Sequence, residues 1–266
     1  MKVRPSGVAI LLKKLFRVRR QAVESLSGNR FWIDPVSNLG WHLLSTGEYE
    51  RPLQELLDCV LRTGDVFLDI GANEGYFSVL GSKRVGPSGK VFAVEPQGRL
   101  IPIIRENLRL NATSNVTVAH TALAEKEGEA VLYLANSLNS GSSSLFRIVK
   151  NGDGSEHVKQ VALDQFFASN GIARARFIKI DCEGAEYVIL SGAKRILREQ
   201  RIEFVSVDFH PTIASRDEVF GIDRAMREAG YLLTRTGNGT WVYHLPGLEK
   251  ELSPMGAHAP VDDIAA

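Results

Sequence analysis

The sequence predicts an α/β fold built on a mostly parallel sheet, and three observations support this prediction. Short apolar runs alternate with amphipathic helical segments between residues 48 and 229, which is the pattern of repeated βαβ units. These runs are almost continuously apolar, as is typical of strands covered on both faces. Near the end of the chain, two apolar runs flank the sequence Gly-Asn-Gly at 237–239, a hairpin signal that adds an antiparallel strand at one edge.

The individual elements follow from this pattern in chain order. Apolar residues recur at helical spacing in 48–62, and the sequence Thr-Gly-Asp at 63–65 ends that helix. The apolar run 66–70 follows as a buried strand, and a glycine-punctuated turn leads from it into the next helix. The predicted helices cover 48–62, 76–83, 100–110, a short segment near 166–167, 185–198 and 217–229. The predicted strands cover 66–70, 90–95, 116–119, 130–135, 158–163, 177–181, 203–208, 231–236 and 240–244.

Composition gives the domain organisation and excludes several protein classes. The chain of 266 residues has a formal net charge of +1 and is 44% hydrophobic, as expected for a soluble globular protein of one large domain. No apolar run reaches the roughly 18 residues of a membrane-spanning helix, and the near-neutral charge argues against a nucleic-acid binder. Cys59 and Cys182 form neither a metal-binding pair nor a disulfide framework, which fits a cytoplasmic location.

The first twenty residues differ from the rest of the chain. They hold seven basic residues and no acidic one, so residues 21–266 carry 25 basic and 31 acidic side chains. Apolar residues at 8, 11, 12 and 15 share one helical face. One interpretation is a basic helix that contacts an anionic membrane surface or a partner; the other is a solvated helix that packs on the main domain. We therefore divide the chain into a basic, helical, substrate-side segment (1–47), a main domain (48–245) and a flexible tail (246–266).

A glycine-containing turn after the first strand of the main domain is the strongest sign of ligand binding. Asp69 lies two residues before Gly71, and Gly75 follows four residues later, so the motif is GxxxG and not the GxGxxG of dinucleotide-binding proteins. A carboxylate at this position repels a phosphate and attracts an ammonium group. A ligand with an amino-acid end and a nucleoside end, S-adenosylmethionine, therefore fits better than NAD. We expect the two glycines to permit close approach of that ligand; the alternative is a turn that only joins strand to helix.

Two later positions complete the predicted cofactor site. Glu95 ends the second strand, where an acid commonly hydrogen-bonds the ribose hydroxyls of a nucleoside. Ala122 follows the third strand and is small enough to lie against an adenine ring. The alternative for Glu95 is an ordinary exposed carboxylate without a ligand, and the alternative for the segment around Ala122 is a plain turn. The Ser/Gly-rich segment 139–144 is either a mobile loop over the site or a surface loop.

The motifs DIGANEGYFS (69–78), VFAVEP (91–96), FIKIDCEGAEYVIL (177–190) and VDFHP (207–211) resemble the FkbM-type methyltransferase family, and the resemblance extends over roughly residues 45–245. It implies a Rossmann-like class I methyltransferase with a seven-stranded, mostly parallel sheet that uses S-adenosylmethionine. The cofactor-binding residues that it implies are Asp69, Gly71, Asn73, Gly75 and Glu95. We add the neighbouring motif residues Ala72 and Tyr76, and Ala122 from the segment after the third strand, to the predicted cofactor site. The sequence departs from the family pattern at Glu74, where an apolar residue is more usual, and at Asp208, where Glu is more usual.

The part of the site in which methyl transfer takes place must contain a group that removes a proton from a hydroxyl acceptor. His210 is the leading candidate, since its pKa suits proton transfer near neutrality; the alternative is a structural histidine packed on Pro211. Asp181 is a second candidate for base or substrate binding, and Glu183 is a weaker one. These residues with Asp208 could also bind a divalent cation, which we do not favour, so no metal ligand is assigned.

The expected activity is S-adenosylmethionine-dependent O-methylation. The resemblance points to a hydroxyl on a sugar, a glycolipid or another natural product, and hence to a small-molecule or glycan acceptor and not a nucleic acid. The alternatives are a non-catalytic scaffold that binds a partner or a membrane surface through residues 1–20, and, less favoured, an NAD-dependent dehydrogenase. The acceptor's identity and the oligomeric state are not encoded in any motif of the sequence.

Overall fold

Strands and helices alternate along the main domain as the sequence predicts. The computed structural model describes residues 15–136, 141, 143–145, 152–209, 215–236 and 241–256. The strands are β1 (Gln21–Glu24), β2 (Arg30–Ile33), β3 (Val66–Ile70), β4 (Lys90–Val94), β5 (Val116–Ala119), β6 (Ala122–Ala124), β7 (Gly128–Tyr133), β8 (Ser155–Ala162), β9 (Ala175–Ile180), β10 (Ile202–Val207), β11 (Leu232–Arg235) and β12 (Trp241–His244). The helices are α1 (Asn38–Thr46), α2 (Arg51–Val60), α3 (Tyr76–Val85), α4 (Ile101–Leu110), α5 (Leu163–Ser169), α6 (Glu186–Ser191), α7 (Lys194–Arg198) and α8 (Arg216–Glu228), followed by a 3₁₀ helix (Glu249–Met255).

The main sheet has seven strands in the order β11-β12-β10-β9-β3-β4-β5. The pairs among β10, β9, β3, β4 and β5 are parallel, and β12 is antiparallel to both β10 and β11. This confirms the predicted seven-stranded, mostly parallel sheet with a C-terminal antiparallel hairpin. Within this sheet the chain passes from β3 through β4 to β5 at one edge. It then returns to β9, which pairs with the opposite side of β3. The carboxyl ends of β3 and β9 therefore flank the topological switch point, where sheets of this type bind ligands.

Two apolar layers cover the faces of this sheet because neighbouring residues in each strand point to opposite sides. Phe67 and Phe177 stack on one face with ring centroids 5.5 Å apart, whereas Leu68 and Ile178 belong to the cluster on the other face. Lys179 is an exception to the apolar pattern, since it is a charged residue that is only 4% exposed in the middle of the sheet.

The N-terminal part of the described chain is a β-hairpin followed by a helix, whereas the sequence analysis predicted only helical structure in the segment 1–47. Strands β1 and β2 pair antiparallel. Asn107 of α4 accepts a hydrogen bond from the Trp32 backbone N–H at 2.6 Å, and Asn111 accepts one from the Arg30 N–H at 3.0 Å. Contacts distant in sequence hold this hairpin, so helical periodicity could not reveal it. Most of the predicted basic helix, residues 1–14, lies outside the described residues.

A small second sheet lies beside the main one in the order β6-β8-β7. Strand β8 pairs parallel with β6 and antiparallel with β7. The two longer strands match the predicted segments 130–135 and 158–163 approximately, whereas no strand was predicted at β6. This sheet brings β6 and the segment after β7 close to the carboxyl end of β5.

The predicted helix 185–198 is divided in two at Gly192. The carbonyl of Gly192 accepts a hydrogen bond from the Asp164 N–H at 2.9 Å. A Cβ at position 192 would lie 2.2 Å from the Ala124 carbonyl oxygen. Helices α6 and α7 therefore separate at a point where the backbone packs directly on β6.

The expected flexible tail is ordered in its first part. Residues 249–255 form the 3₁₀ helix, whose Leu252 is fully buried against the cluster that contains α2. Glu251 pairs with Arg176 of β9, and this ion pair between distant residues explains why composition alone predicted an irregular tail. Residues 257–266 lie outside the described part. No helix within the described residues is long and apolar enough to cross a membrane.

Candidate active site

One cavity of about 220 Å³ opens at the carboxyl ends of the parallel strands. Its wall includes residues that lie just beyond the carboxyl ends of five neighbouring strands. In the order of the sheet these are Thr121 and Ala122 after β5, Glu95 after β4, Gly71 after β3, Asp181 after β9 and Asp208 after β10. With roughly 4.8 Å between neighbouring strands, this row extends over about 19 Å. The cavity can therefore hold an elongated ligand that crosses the switch point.

Glu95 is a tightly fixed carboxylate of this wall. It is 3% exposed, and its two oxygens accept hydrogen bonds from the Asn73 N–H at 2.7 Å and the Gln97 N–H at 2.9 Å. Burial raises the pKa of Glu95 to about 7, although the two N–H donors oppose the shift. The carboxylate is thus held at the edge of the cavity between two loops, as a group that binds ribose hydroxyls requires.

The turn after β3 needs its glycines for a reason other than the predicted one. Gly71 has a φ of +77°, and a Cβ there would lie 1.9 Å from the Asp181 carbonyl oxygen. Gly75 has a φ of +80° and packs against Ile104, away from the cavity. Both positions are therefore constrained by the protein's own backbone and side chains. Close approach of a ligand, which the sequence analysis invoked, is not needed to explain them.

Asp69 also differs from the expectation of a direct contact with a ligand's ammonium group. Its side chain is fully buried and does not line the cavity. One oxygen lies 3.4 Å from the Lys179 Nζ, and the other accepts a hydrogen bond from the Ser78 hydroxyl at 2.6 Å. Since Lys179 neutralises this carboxylate from within the protein, Asp69 can influence the cavity only through its neighbours.

The wall near β5 combines small apolar side chains with a polar rim. Ala122 and Leu123 of β6 lie there with Leu132 of β7. Ser143, from the Ser/Gly-rich segment, donates a hydrogen bond to the Gln97 side chain at 3.0 Å. Of that segment, Gly141 and Ser143 line the cavity, whereas residues 137–140 and 142 lie outside the described part. This end offers an apolar slot beside Glu95, as an adenine ring requires.

The opposite end of the cavity is acidic. Asp181 and Glu183 follow β9, Asp208 follows β10, and Glu50 precedes α2. The turn after β9 is held by Glu186, which accepts hydrogen bonds from the backbone N–H groups of Cys182 at 3.1 Å and Gly184 at 3.0 Å. Among the described residues, the lining of the cavity contains six carboxylates and no lysine, arginine or histidine.

Three residues of the lining adopt a left-handed backbone conformation that is unfavourable for most side chains. They are Glu50 with φ +47°, Asn73 with φ +51° and Glu183 with φ +49°. Strained residues of this kind concentrate at functional sites because surrounding structure must hold them in place. The left-handed conformations of Glu50 and Glu183 therefore support the interpretation that methyl transfer takes place at the acidic end of the cavity.

Glu50 and Tyr49 are site residues that the sequence analysis did not assign. Glu50 is an exposed residue of the cavity wall, and desolvation by the surrounding protein raises the pKa of its carboxyl group. Burial and the neighbouring Glu50 raise the pKa of Tyr49, so its hydroxyl stays protonated. The only signal in the sequence was the motif GEYE at 47–50, which resembles the start of the family pattern.

The structure brings together some of the predicted site residues and leaves others apart. Those that line the cavity are Gly71, Asn73, Glu95, Ala122, Asp181 and Glu183, whereas Asp69, Ala72, Gly75 and Tyr76 lie behind its wall. His210, the leading candidate for the base, lies outside the described residues. No group of three or more described His, Cys, Asp or Glu side chains is arranged to hold a metal ion. Burial and the nearby Glu186 raise the pKa of the Cys182 thiol, which disfavours a thiolate there.

Comparison with known proteins identifies the family. The Methyltransferase FkbM domain matches residues 69–233, a range that contains the turn after β3, Glu95 and the acidic residues after β9 and β10. The chain belongs to the FkbM methyltransferase family. This FkbM methyltransferase is 23% identical to the hexuronic acid methyltransferase AglP of Haloferax volcanii over 202 residues, which are 75% of this chain and 79% of that protein. It is 26% identical over 156 residues to a ribosomal protein L11 methyltransferase of Caldanaerobacter subterraneus, covering 58% of this chain and 46% of that protein.

Solved structures of methyltransferases also match this FkbM methyltransferase. A precorrin-6y C5,15-methyltransferase from Geobacter metallireducens is 15% identical with a TM-score of 0.43, over 75% of this chain and 88% of that one. The structure of M. jannaschii TYW2 in complex with AdoMet is 13% identical with a TM-score of 0.43, over 84% and 83% of the two chains.

The cavity of this FkbM methyltransferase fits S-adenosylmethionine. The fixed Glu95 carboxylate and the apolar slot beside it suit a nucleoside, and the acidic lining suits the positive charges of a sulfonium and an ammonium group. The described lining lacks the cationic side chains that would pair with a pyrophosphate. The protein is thus an S-adenosylmethionine-dependent methyltransferase.

Proposed function

We propose that this methyltransferase methylates a hydroxyl group of a sugar or of a sugar-containing natural product. One observation carries the proposal: a single cavity joins the nucleoside-type end around Glu95 to an end lined by Glu50, Asp181, Glu183 and Asp208. Carboxylates accept hydrogen bonds from hydroxyl groups and can take up the proton of one. The described lining offers a hydroxyl-rich acceptor several such partners.

In the proposed site Glu95 holds the ribose, Ala122 contacts the adenine, and Gly71 and Asn73 form the turn beside them. When bound, S-adenosylmethionine supplies an electrophilic methyl group. Asp181 and Glu183 orient the acceptor, and either they or His210 remove its proton. Placing the acceptor oxygen in line with the methyl group accounts for much of the expected rate enhancement.

The nature of the acceptor follows from charge. Glu74 is paired with Arg20 and Asp181 with the buried Lys179, but the described lining itself contains six carboxylates and no lysine, arginine or histidine. A phosphate or a carboxylate would be repelled here. We therefore favour a neutral polyol over an anionic acceptor.

A second candidate acceptor deserves a direct comparison because one relative, AglP, is named a hexuronic acid methyltransferase. The experiment is to measure transfer of a radiolabelled methyl group from S-adenosylmethionine to matched pairs, such as methyl glucoside and methyl glucuronide. The proposal expects methylation of the glucoside at a hydroxyl and weak use of the glucuronide. Preferential use of the glucuronide would favour the second candidate.

Cofactor binding is tested separately by titration calorimetry with S-adenosylmethionine, S-adenosylhomocysteine and NAD. We expect both adenosyl ligands and not NAD to bind, with no effect of EDTA. An EDTA effect would indicate a divalent cation, and failure of both adenosyl ligands to bind folded protein would favour the scaffold alternative.

A further inference from the structure

Lys179 lies beneath the floor of the cavity, where a charged side chain is costly. It sits in β9 between β3 and β10, opposite Asp69 and Ser206 in the sheet register, and is 4% exposed. Burying an ammonium group among apolar strands is unfavourable unless charges and hydrogen bonds compensate it. A residue retained under such a cost needs a structural or chemical reason.

The compensation comes from both ends of the site. The Lys179 Nζ lies 3.4 Å from an Asp69 oxygen and 3.5 Å from an Asp181 oxygen. It donates a hydrogen bond to the Gly71 carbonyl at 3.1 Å. Its ammonium group also lies 5.6 Å from the centre of the Phe77 ring. One buried cation therefore contacts the turn on the cofactor side and a carboxylate on the acceptor side.

We propose that Lys179 is a positioning residue for methyl transfer, which holds the Asp181 carboxylate toward the acceptor, ties it to the Gly71 turn and, at longer range, counteracts the negative charge around Glu50. This inference rests on the proposed function. Burial alone lowers the pKa of Lys179, but Asp181, Asp69 and Glu50 outweigh it and raise that pKa above its usual value. The ammonium group thus stays charged over the working pH range.

The charges around Glu50 show what the ammonium group counteracts. Lys179 lowers the pKa of Glu50, whereas Asp181 from the end of β9 and Asp208 from the end of β10 raise it. Asp69 approaches Lys179 from β3, and the carboxylate of Glu186 lies in the turn after β9. With Lys179 removed, these carboxylates would face one another without its ammonium group, and their ionised forms would be less favourable.

The first test needs no acceptor. Lys179→Met and Lys179→Gln, which are neutral, are compared with Lys179→Arg and with Lys194→Met, a control at an exposed lysine. Chemical unfolding is followed from pH 5 to pH 8. We expect the two neutral variants to lose more stability at pH 8 than at pH 5, because unpaired carboxylates protonate at low pH. A loss that is equal at all pH values would overturn the electrostatic role.

The second test measures kinetics and S-adenosylhomocysteine affinity. Lys179→Gln should lower kcat at least tenfold, raise the midpoint of the acidic limb of kcat/KM by about one pH unit, and change the affinity for S-adenosylhomocysteine less than kcat. Lys179→Arg should restore part of kcat. Normal kcat with an unchanged acidic limb in Lys179→Gln would refute the proposal.

If the wild type binds S-adenosylhomocysteine but methylates no hydroxyl, the proposed function fails, and the unfolding test alone decides the electrostatic role of Lys179. If Lys179→Met does not fold, Lys179→Gln and Lys179→Arg still decide both tests.

Discussion

Arg20 and Glu74, 54 positions apart in sequence, form a two-bond ion pair at the edge of the cavity. The guanidinium donates to the two carboxylate oxygens at 2.8 and 3.1 Å, and Glu74 is 2% exposed. The departure from the family pattern at Glu74 thus has a structural partner in this chain. The pair connects the segment before β1 to the turn that follows β3.

Removal of Arg20 is expected to destabilise the protein. Arg20→Ala leaves the Glu74 carboxylate buried without its cation, and we expect a loss of about 2–3 kcal/mol, below the full cost of a buried pair because Arg20 is 24% exposed on its side chain. Urea unfolding measures the loss, with Arg30→Ala on the exposed side of the hairpin as control. The double variant Arg20→Leu/Glu74→Leu should recover most of the stability; a double variant as unstable as Arg20→Ala would contradict this explanation.

The affinity for S-adenosylhomocysteine is expected to depend on pH through Glu95. Because burial raises the pKa of Glu95 to about 7, its carboxylate is mostly protonated below pH 7 and mostly ionised above it. An ionised carboxylate is the better acceptor for ribose hydroxyls, so the affinity should rise between pH 6 and pH 8. Calorimetry at several pH values measures this, and Glu95→Gln should bind about tenfold more weakly and lose most of the pH dependence. Glu129→Gln, at an exposed position of β7, is the control. A flat profile in the wild type would exclude Glu95 as the ribose ligand.

Replacement of His210 should separate binding from catalysis. If His210 is the base, His210→Ala retains normal affinity for S-adenosylhomocysteine while kcat falls 10²-fold or more. Asp181→Asn and Glu183→Gln are measured beside it, because those residues line the cavity. Normal turnover in His210→Ala, together with a large loss in Asp181→Asn, would move the role of base to Asp181.

Gly71 should tolerate no side chain. A Cβ there meets the Asp181 carbonyl at 1.9 Å, whereas one at Gly128 would have its nearest neighbour at 3.6 Å. We expect Gly71→Ala to lose about 3 kcal/mol or more and Gly128→Ala to stay near wild type. Thermal unfolding measures both, and equal melting temperatures for the two variants would show that the turn can relax.

The proposed membrane contact is tested by deletion. Residues 1–14 carry much of the basic charge, and deleting only these spares Arg20 and its ion pair. If the segment binds anionic surfaces, co-sedimentation with vesicles containing phosphatidylserine should fall markedly, and added salt should weaken the binding of the full chain. Unchanged sedimentation of the shortened chain would end this hypothesis.

Local patterns in the sequence were enough to predict the main sheet, because its strands are mostly apolar runs and the connecting helices have their own periodicity. The strand 66–70 was predicted with the bounds that the structure has. Long-range contacts account for what was missed: Asn107 and Asn111 hold the N-terminal hairpin, and Arg176 holds the 3₁₀ helix through Glu251. No local pattern records such pairs.

The site residues that could be predicted from the sequence are mainly those that lie at the ends of strands. Glu95 and Asp181 were found because they follow apolar strands, and both line the cavity. Asp69 was singled out because it lies two residues before Gly71, yet it belongs to β3 and points into the protein toward Lys179. The rule gives the position of a residue along a strand but not the partner that takes up its charge. Glu50 was missed because it lies before a helix and reaches the cavity from outside the sheet.

The order of strands in the sheet has a consequence for how such enzymes can diversify. The nucleoside-type end of the cavity is encoded by residues between Gly71 and Ala122, and the acidic end mainly by residues between Asp181 and Asp208. The two ends meet in space but are inherited as separate stretches of chain. Grafting the second stretch between relatives, with Lys179 kept beneath it, is therefore a route to new acceptors that keeps the residues of the nucleoside-type end in place.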